Sequence, residues 1–183
     1  MAAIHPVALL PPSIDFGRSG PGTVAGNYLR QYWQPVFNSN ELPTGRAKPI
    51  RIMNEDFTLY RGQSGAAHVV AQRCAHRSTL LNTGWVEGDD IRCLYHGWKF
   101  NGEGKCIERP AEKTPPGVHD DIRAYPTREH VGLVFAYFGE GEPPPFPPFP
   151  AFDEEGIVET RATVYPCNYF QTHENNFDPC HIL

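Results

Sequence analysis

Two patterns of hydrophobic positions divide the chain. Apolar side chains recur at helical spacing over residues 24–33, which predicts one amphipathic helix ending before Pro35. From Val36 onwards, short apolar runs alternate with turn residues, which predicts a mainly β chain with a small antiparallel domain. The predicted strands are Pro49–Met53, Phe57–Tyr60, Ala67–Ala71, Asp90–Leu94, Trp98–Asn101 and Val131–Tyr137.

A proline-rich segment interrupts this pattern at residues 141–150. Proline has no backbone N–H to donate to a sheet and favours polyproline geometry, so the segment predicts a boundary. A stiff spacer, a strap over a domain surface and a ligand for a proline-recognition domain are the alternatives. Beyond it, Ile157–Tyr165 alternates like a strand, and Cys167–Leu183 is polar with helical character.

Composition and charge narrow the classes of function. A length of 183 residues allows one domain and part of a second. The formal charge of -5 argues against a nucleic-acid partner or an anionic membrane surface. The longest apolar run, Val131–Phe138, is too short to cross a bilayer, and the N-terminus lacks the basic region of a secretory signal. We therefore expect a soluble, cytoplasmic protein with no membrane segment.

Two short boxes carry the candidate chemistry. Cys74 and His76 form a C-x-H box, and after sixteen intervening residues Cys93 and His96 form a C-x-x-H box. A two-iron cluster with two cysteines on one iron and two histidines on the other needs two such loops facing each other. The alternative is a zinc site, which uses the same ligand types but usually keeps its cysteines in one half and its histidines in the other. Visible colour would separate the two.

Both boxes resemble those of Rieske proteins, and the longer string from Cys93 to Cys106 resembles the oxygenase branch. Respiratory Rieske proteins have an additional cysteine in each box, where this chain has Ala75 and Tyr95. The run that follows Cys93, together with residues 108–112, is similar to the phthalate dioxygenase and aromatic demethylase group. The resemblance implies a Rieske [2Fe–2S] cluster in a domain of stacked sheets. Its implied ligands are Cys74, His76, Cys93 and His96.

A second motif, Glu174-Asn175 followed by Asp178 and His181, resembles the start of the α+β catalytic domain of Rieske oxygenase α-subunits. The resemblance implies that His181 is the first ligand of a mononuclear Fe(II) site of the two-histidine-one-carboxylate kind. It implies that Asp178 bridges to a cluster histidine, His96, of a neighbouring subunit and so carries electrons between the iron centres. The family's second histidine would fall five positions after His181. We therefore expect an α-subunit cut short, with the mononuclear iron only in a full-length form.

The resemblance implies a component that takes single electrons from a reductase or ferredoxin and serves hydroxylation or demethylation of an aromatic substrate, in a homotrimer. One alternative is a stand-alone Rieske ferredoxin, and another is a truncated product that binds its cluster without a partner. Arg73, Arg77 and Arg92 are interpreted as solvated charges or as a docking site for an acidic donor, and Trp98 as a shield of the cluster. The predicted domains are 1–33 (N-terminal segment and helix), 34–140 (Rieske domain), 141–150 (linker) and 151–183 (start of the catalytic domain).

Overall fold

The computed structural model describes residues 15–152 and 155–181. The described part contains two α-helices, α1 (Val24–Leu29) and α2 (Tyr169–Phe177), and eleven strands. The strands are β1 (Trp33–Asn38), β2 (Ala47–Ile52), β3 (Glu55–Arg61), β4 (Ala67–Ala71), β5 (Trp85–Glu87), β6 (Asp90–Arg92), β7 (Lys99–Phe100), β8 (Cys106–Glu108), β9 (Ala124–Tyr125), β10 (Thr127–His130) and β11 (Leu133–Tyr137).

The strands form three antiparallel sheets, with the orders β1-β11-β10, β2-β3-β4-β9 and β5-β6-β7-β8. Tight turns connect neighbouring strands where the backbone takes a positive φ. Met53 and Asn54, at φ 47° and 57°, turn β2 into β3 so that Ile52 pairs with Glu55. The mainly β, antiparallel fold predicted from the sequence is confirmed.

The middle sheet separates two hydrophobic cores. Phe57 and Leu59 of β3 point into a core shared with β1 and β11, whereas Tyr60 of the same strand points into a core shared with β5–β8. Val69 and Val70 of β4 divide in the same way. Successive side chains of a strand point to opposite faces, so a sheet buried on both faces supplies two cores and the three sheets stack in layers. The second core contains Cys74 and Cys93.

The N-terminal helix is shorter than predicted. α1 has six residues, begins after the capping side chain of Thr23 and ends at Leu29, while Trp33 is the first residue of β1. Trp33 packs against Tyr137 and donates from Nε1 to the Pro144 carbonyl oxygen over 2.9 Å, and these long-range contacts draw it into the sheet. Pro35 is tolerated inside β1 because β1 is an edge strand.

The proline-rich segment lies as a strap across the sheet β1-β11-β10. Phe146 packs edge-on against Trp33 and Phe135, and Arg128 lies 4.8 Å over its ring. His130 packs against Phe146 and, further along the strap, Phe149. The strap interpretation is therefore confirmed over that of a free spacer.

After the strap the described chain has little burial. The predicted strand Ile157–Tyr165 is wrong: those residues have no strand partner, and Ile157 and Val164 are almost completely exposed. The helical expectation further on is confirmed by α2, which Asn168 caps. α2 is anchored near the N-terminus, where Tyr169 donates to the Phe16 carbonyl oxygen over 2.7 Å.

Candidate metal centre

The two boxes form loops with the same backbone frame. Cys74 N–H donates to the Thr79 carbonyl oxygen over 2.9 Å, and Ser78 N–H donates back to the Cys74 carbonyl oxygen over 3.0 Å. In the second loop Cys93 N–H donates to the Trp98 carbonyl oxygen over 2.8 Å, and Gly97 N–H to that of Cys93 over 3.1 Å. Each loop is thus a turn closed by two hydrogen bonds, with its cysteine at the first position.

Both turns need a positive φ at their fifth position. Gly97 adopts φ 73°, which glycine takes without steric cost, whereas Ser78 adopts φ 57°. A Cβ on Gly97 would lie 3.2 Å from Cγ of Pro110, so a larger residue is disfavoured there. The chain between the loops also runs close to itself: a Cβ on Gly84 would lie 1.9 Å from the Arg92 carbonyl oxygen.

The two cysteines come together inside the second core. Cys74 and Cys93 are buried free thiols at 3% and 1% exposure. The pKa of the Cys74 thiol is raised to about 11, chiefly by burial; the neighbouring Cys93 also raises it, while backbone hydrogen bonds from His76 and Arg77 lower it. A thiol in this setting is a poor nucleophile, because the thiolate is the reactive form. It is suited to ligating a metal that compensates its negative charge.

The two histidines form a second pair. The ring centroids of His76 and His96 are 4.6 Å apart. His76 is half-buried, and its Nδ1 is buried with no hydrogen-bond partner among the described residues. His96 is exposed beside Tyr95. Although each loop mixes the two donor types, the fold brings thiol to thiol and imidazole to imidazole.

Trp98 closes the inner side of this pair. Its ring is stacked on His76 with centroids 4.8 Å apart and an interplanar angle of 3°. Trp98 itself is 6% exposed and belongs to the second core. Aromatic stacking holds a ring plane and excludes water from it. The shielding interpretation of Trp98 thus fits its position.

Arg92 braces the second loop. It donates from Nη1 to the Gly97 carbonyl oxygen over 2.8 Å and pairs with Glu87 and Glu108 over 2.8 and 2.7 Å. Hydrogen bonding with Glu87, then Glu108, raises its pKa. Arg92 is therefore committed to the fold and is not a free charge for docking. Arg73 donates to the Ser78 carbonyl oxygen but stays exposed, as does Arg77.

The remaining predicted residues lie elsewhere. Asp178 caps the end of α2, and one of its oxygens accepts from Cys180 N–H over 2.9 Å. His181 ends the last short turn, and its side chain lies outside the described residues. Cys106 is a buried thiol in the second core, whereas Cys167 and Cys180 are exposed.

Across residues 15–152 and 155–181, no group of three or more His, Cys, Asp or Glu side chains is arranged to hold a single metal ion. The site instead consists of a pair of thiols and a pair of imidazoles. In a Rieske centre each iron takes two protein ligands, so pairs are what such a cluster requires. In the same ranges, no helix has the length and apolar character needed to span a bilayer.

The sequence did not reveal the supports of this site. The positive φ of Ser78 could not be predicted from the sequence, because serine rarely adopts a positive φ. The brace of Arg92 depends on Glu108, which follows sixteen residues later. A sequence signal for the brace did exist: Glu87 and Arg92 flank the Gly88-Asp89 turn, which places their side chains on neighbouring strands.

Comparison with known proteins places these features in context. The family described as Rieske [2Fe-2S] domain matches residues 32–126. The 5,5'-dehydrodivanillate O-demethylase oxygenase subunit of Sphingobium sp. (strain NBRC 103272 / SYK-6) is 41% identical over 171 residues, or 90% of this chain and 40% of the relative. The tert-butanol monooxygenase / tert-amyl alcohol desaturase oxygenase subunit of Aquincola tertiaricarbonis is 41% identical over 180 residues, or 93% of this chain and 37% of the relative.

A crystal structure of dicamba monooxygenase with non-heme iron and dicamba has a similar fold. It matches with a TM-score of 0.63 and 24% identity, over 70% of this chain and 40% of that chain. The present chain spans about two fifths of the length of the curated relatives described above.

Proposed function

The chain belongs to the Rieske [2Fe–2S] domain family, and from this premise we propose that Cys74 and Cys93 hold one iron of the cluster and His76 and His96 the other. The observation that carries the proposal is the pairing of like donors from two mixed loops. A Rieske cluster needs two thiolates on one iron and two imidazoles on the other. The 4.6 Å separation of the two imidazole rings supports the second half of this set.

The chemistry of the donors supports the same assignment. The buried Nδ1 of His76 has no hydrogen-bond partner among the described residues, and a buried polar atom is costly unless something satisfies it. An iron would do so. The shared burial of the Cys74 and Cys93 thiols also fits a ligand role, because a bound iron would compensate the negative charge of the two thiolates.

When bound, the cluster supplies one-electron redox chemistry. The residues of this chain determine which molecules can approach the cluster. Trp98 and the second core keep water from the inner side, whereas His96, Tyr95 and Leu94 are exposed on the outer side. Electrons would therefore enter and leave past His96, the more accessible of the two imidazoles.

We propose further that this domain is the electron-transfer part of an oxygenase subunit. Its relatives are named as oxygenase subunits, and this chain spans about two fifths of their length. In this proposal residues 34–140 form the Rieske domain, the strap at 141–150 is the linker, and 151–183 begin the catalytic domain. Ile157, Val164 and Phe177 support it, since these apolar side chains are 99%, 92% and 73% exposed and need a covering surface.

In a chain of the relatives' length, His181 would ligate the mononuclear iron, and Asp178 would bridge to His96 of a neighbouring subunit in a homotrimer. A carboxylate between two metal-bound imidazoles orients both rings and gives a short connected route. The donor would be a reductase or ferredoxin. The substrate would be aromatic, as the dehydrodivanillate in the name of the demethylase relative is, whereas the second relative is named for tert-butanol, which is not.

Substitution of the thiols tests the ligand set. Cys74→Ser and Cys93→Ser should each abolish visible absorption and acid-labile sulfide, because a hydroxyl is a poor replacement for a soft thiolate. Cys106→Ser is the matched control, since Cys106 is a buried thiol of the same core but not a proposed ligand. An unchanged Rieske spectrum in both ligand variants, or a colourless zinc protein in the wild type, would refute the assignment.

A second measurement separates an oxygenase part from a stand-alone ferredoxin. A chain extended to the length of the oxygenase relatives should take up oxygen when an aromatic acid is added. The Asp178→Asn variant of that chain should lose this uptake. The cluster spectrum of the variant should stay unchanged. Delivery of electrons from the isolated chain to a separate oxygenase, with no effect of Asp178→Asn, would favour the ferredoxin.

A further inference from the structure

Arg109 is held rigidly at the back of the candidate metal centre. Its side chain is 9% exposed, and its Nη1 pairs with Glu112 over 2.5 Å and Asp120 over 3.3 Å. Its Nη2 donates to the carbonyl oxygens of Thr114 and Pro115, over 2.9 Å in each case, and to the Thr114 hydroxyl over 3.1 Å. The loop from 109 to 120 thus folds around one guanidinium and fixes its position.

This guanidinium contacts the ring that supports the histidine pair. The Cζ atom of Arg109 lies 5.5 Å from the centroid of the Trp98 ring, and Trp98 is stacked on His76. The three side chains form one connected stack from a cation to a proposed ligand, which we call the Arg109 stack. Its middle member is 6% exposed, so water screens the cation weakly on this side.

We propose that Arg109, a positioning residue acting through Trp98, raises the affinity of the cluster for an electron. The proposal rests on the ligand set proposed above. One-electron reduction makes the cluster more negative by one charge, and a fixed cation nearby stabilises the reduced form more than the oxidised form. Cations interact favourably with the indole face, so Arg109 also holds Trp98 in place against the His76 ring.

The carboxylates around Arg109 allow an electrostatic effect to be told apart from structural damage. Substituting Arg109 and substituting Glu112 should shift the reduction potential in opposite directions. Removing the cation leaves Glu112 and Asp120 uncompensated, which should disfavour reduction. Removing the charge of Glu112 leaves more of the cation uncompensated, which should favour reduction. Loosening of the fold would move both variants in the same direction.

The test measures the reduction potential of the holoprotein by an optical redox titration, with dithionite as the reductant. Arg109→Gln should lower the equilibrium constant for one-electron reduction by about three- to tenfold, tenfold being 59 mV. Arg109→Lys should recover part of the loss, and Glu112→Gln should shift the potential upward. Arg128→Gln is the matched control, because Arg128 lies over the Phe146 ring in another sheet and should leave the potential unchanged.

A double-variant cycle tests the route through Trp98. In a Trp98→Phe background, Arg109→Gln should produce a smaller shift than it does alone, because the part that depends on Trp98 holding the His76 ring is lost while the direct effect of the charge remains. Equal potentials for wild type and Arg109→Gln, both with full iron and sulfide, would overturn the proposal, as would shifts of the same sign for Arg109→Gln and Glu112→Gln. Additive shifts in the cycle would overturn the route through Trp98. Absence of a cluster from the wild type would instead refute the proposed ligand set.

Discussion

The two loops that carry the proposed ligands share one backbone frame but differ in what surrounds their histidines. His76 in the first loop lies against Trp98 and the second core, and its Nδ1 is buried. His96 in the second loop is exposed, and Arg92 braces its loop through ion pairs in addition to the packing of Cys93 and Trp98 in the core. The histidine of the first loop is therefore covered by packing, whereas that of the second is open to solvent in a loop that Arg92 braces.

The two loops therefore have different roles in the site. Packing makes the first loop the rigid side of the centre, since buried side chains have few alternative positions. A surface brace leaves the second loop accessible to a partner while still holding its backbone. An electron-transfer site needs both, because it must exclude water on one side and admit a partner on the other.

Chemical rescue should reveal the difference most strongly. His76→Gly and His96→Gly should both abolish the Rieske spectrum, because each removes a proposed ligand. Added imidazole should restore absorption in His96→Gly, whose site opens to solvent, and much less in His76→Gly, whose ring position is packed under Trp98. The measurement is visible absorption during a titration with imidazole. Equal rescue of the two variants would contradict the contrast in burial.

Substitutions at the fifth position of each turn should have the next largest effect, and they should change the stability of the two loops unequally. Gly97→Ala should lower the free energy of unfolding by about 1–2 kcal/mol, because alanine is strained at positive φ. The new methyl would also press on Pro110. Ser78→Gly should change it by less than about 0.5 kcal/mol, since relief of strain and added chain entropy oppose each other. Urea unfolding monitored by visible absorption measures both, and equal losses would contradict the expected asymmetry.

Removal of the brace should have a smaller effect. Arg92→Gln breaks two ion pairs that are partly exposed, so we expect a loss of about 1 kcal/mol. Arg73→Gln is the control on the first loop and should cost less than about 0.5 kcal/mol, because Arg73 is exposed and makes one backbone contact. The same unfolding experiment applies. A larger loss for Arg73→Gln would show that the first loop also depends on charge.

The pH dependence should be the smallest effect. Hydrogen bonding with Arg92 lowers the pKa of Glu87, and the same cause lowers that of Glu108. A carboxyl whose pKa falls on folding stabilises the fold above its unfolded pKa, and this stabilisation is lost as pH falls through the folded pKa. The stability difference between wild type and Arg92→Gln should be constant near neutral pH and shrink below about pH 4. A difference that stays constant down to pH 3 would exclude the ion pairs as its source.

The sequence predicted the chemistry of the site better than its supports. The two cysteines and two histidines of the boxes stand out because their types and spacing fit few other kinds of site. The strands of the middle sheet were also predictable, since β3 and β4 are short apolar runs between turn residues. The polar strand β10 was missed because it lacks such a run, and Val131, predicted to begin a strand, lies in a turn at φ 46°.

Other errors arose from contacts distant in sequence. The helical spacing up to Trp33 was overridden by packing on Tyr137 and by the strap. The alternation of Ile157–Tyr165 produced no strand because the described residues offer it no partner. Local patterns could not predict Arg109 either, since its five polar contacts and its ring contact all depend on how the 109–120 loop folds.

Mössbauer spectroscopy of the ⁵⁷Fe-enriched oxidised protein tests the central claim most directly. A pair of thiols on one iron and a pair of imidazoles on the other predicts two chemically distinct iron sites in equal amounts, with two sulfides per chain. A single type of iron site, or a colourless protein containing one zinc ion, would contradict the account.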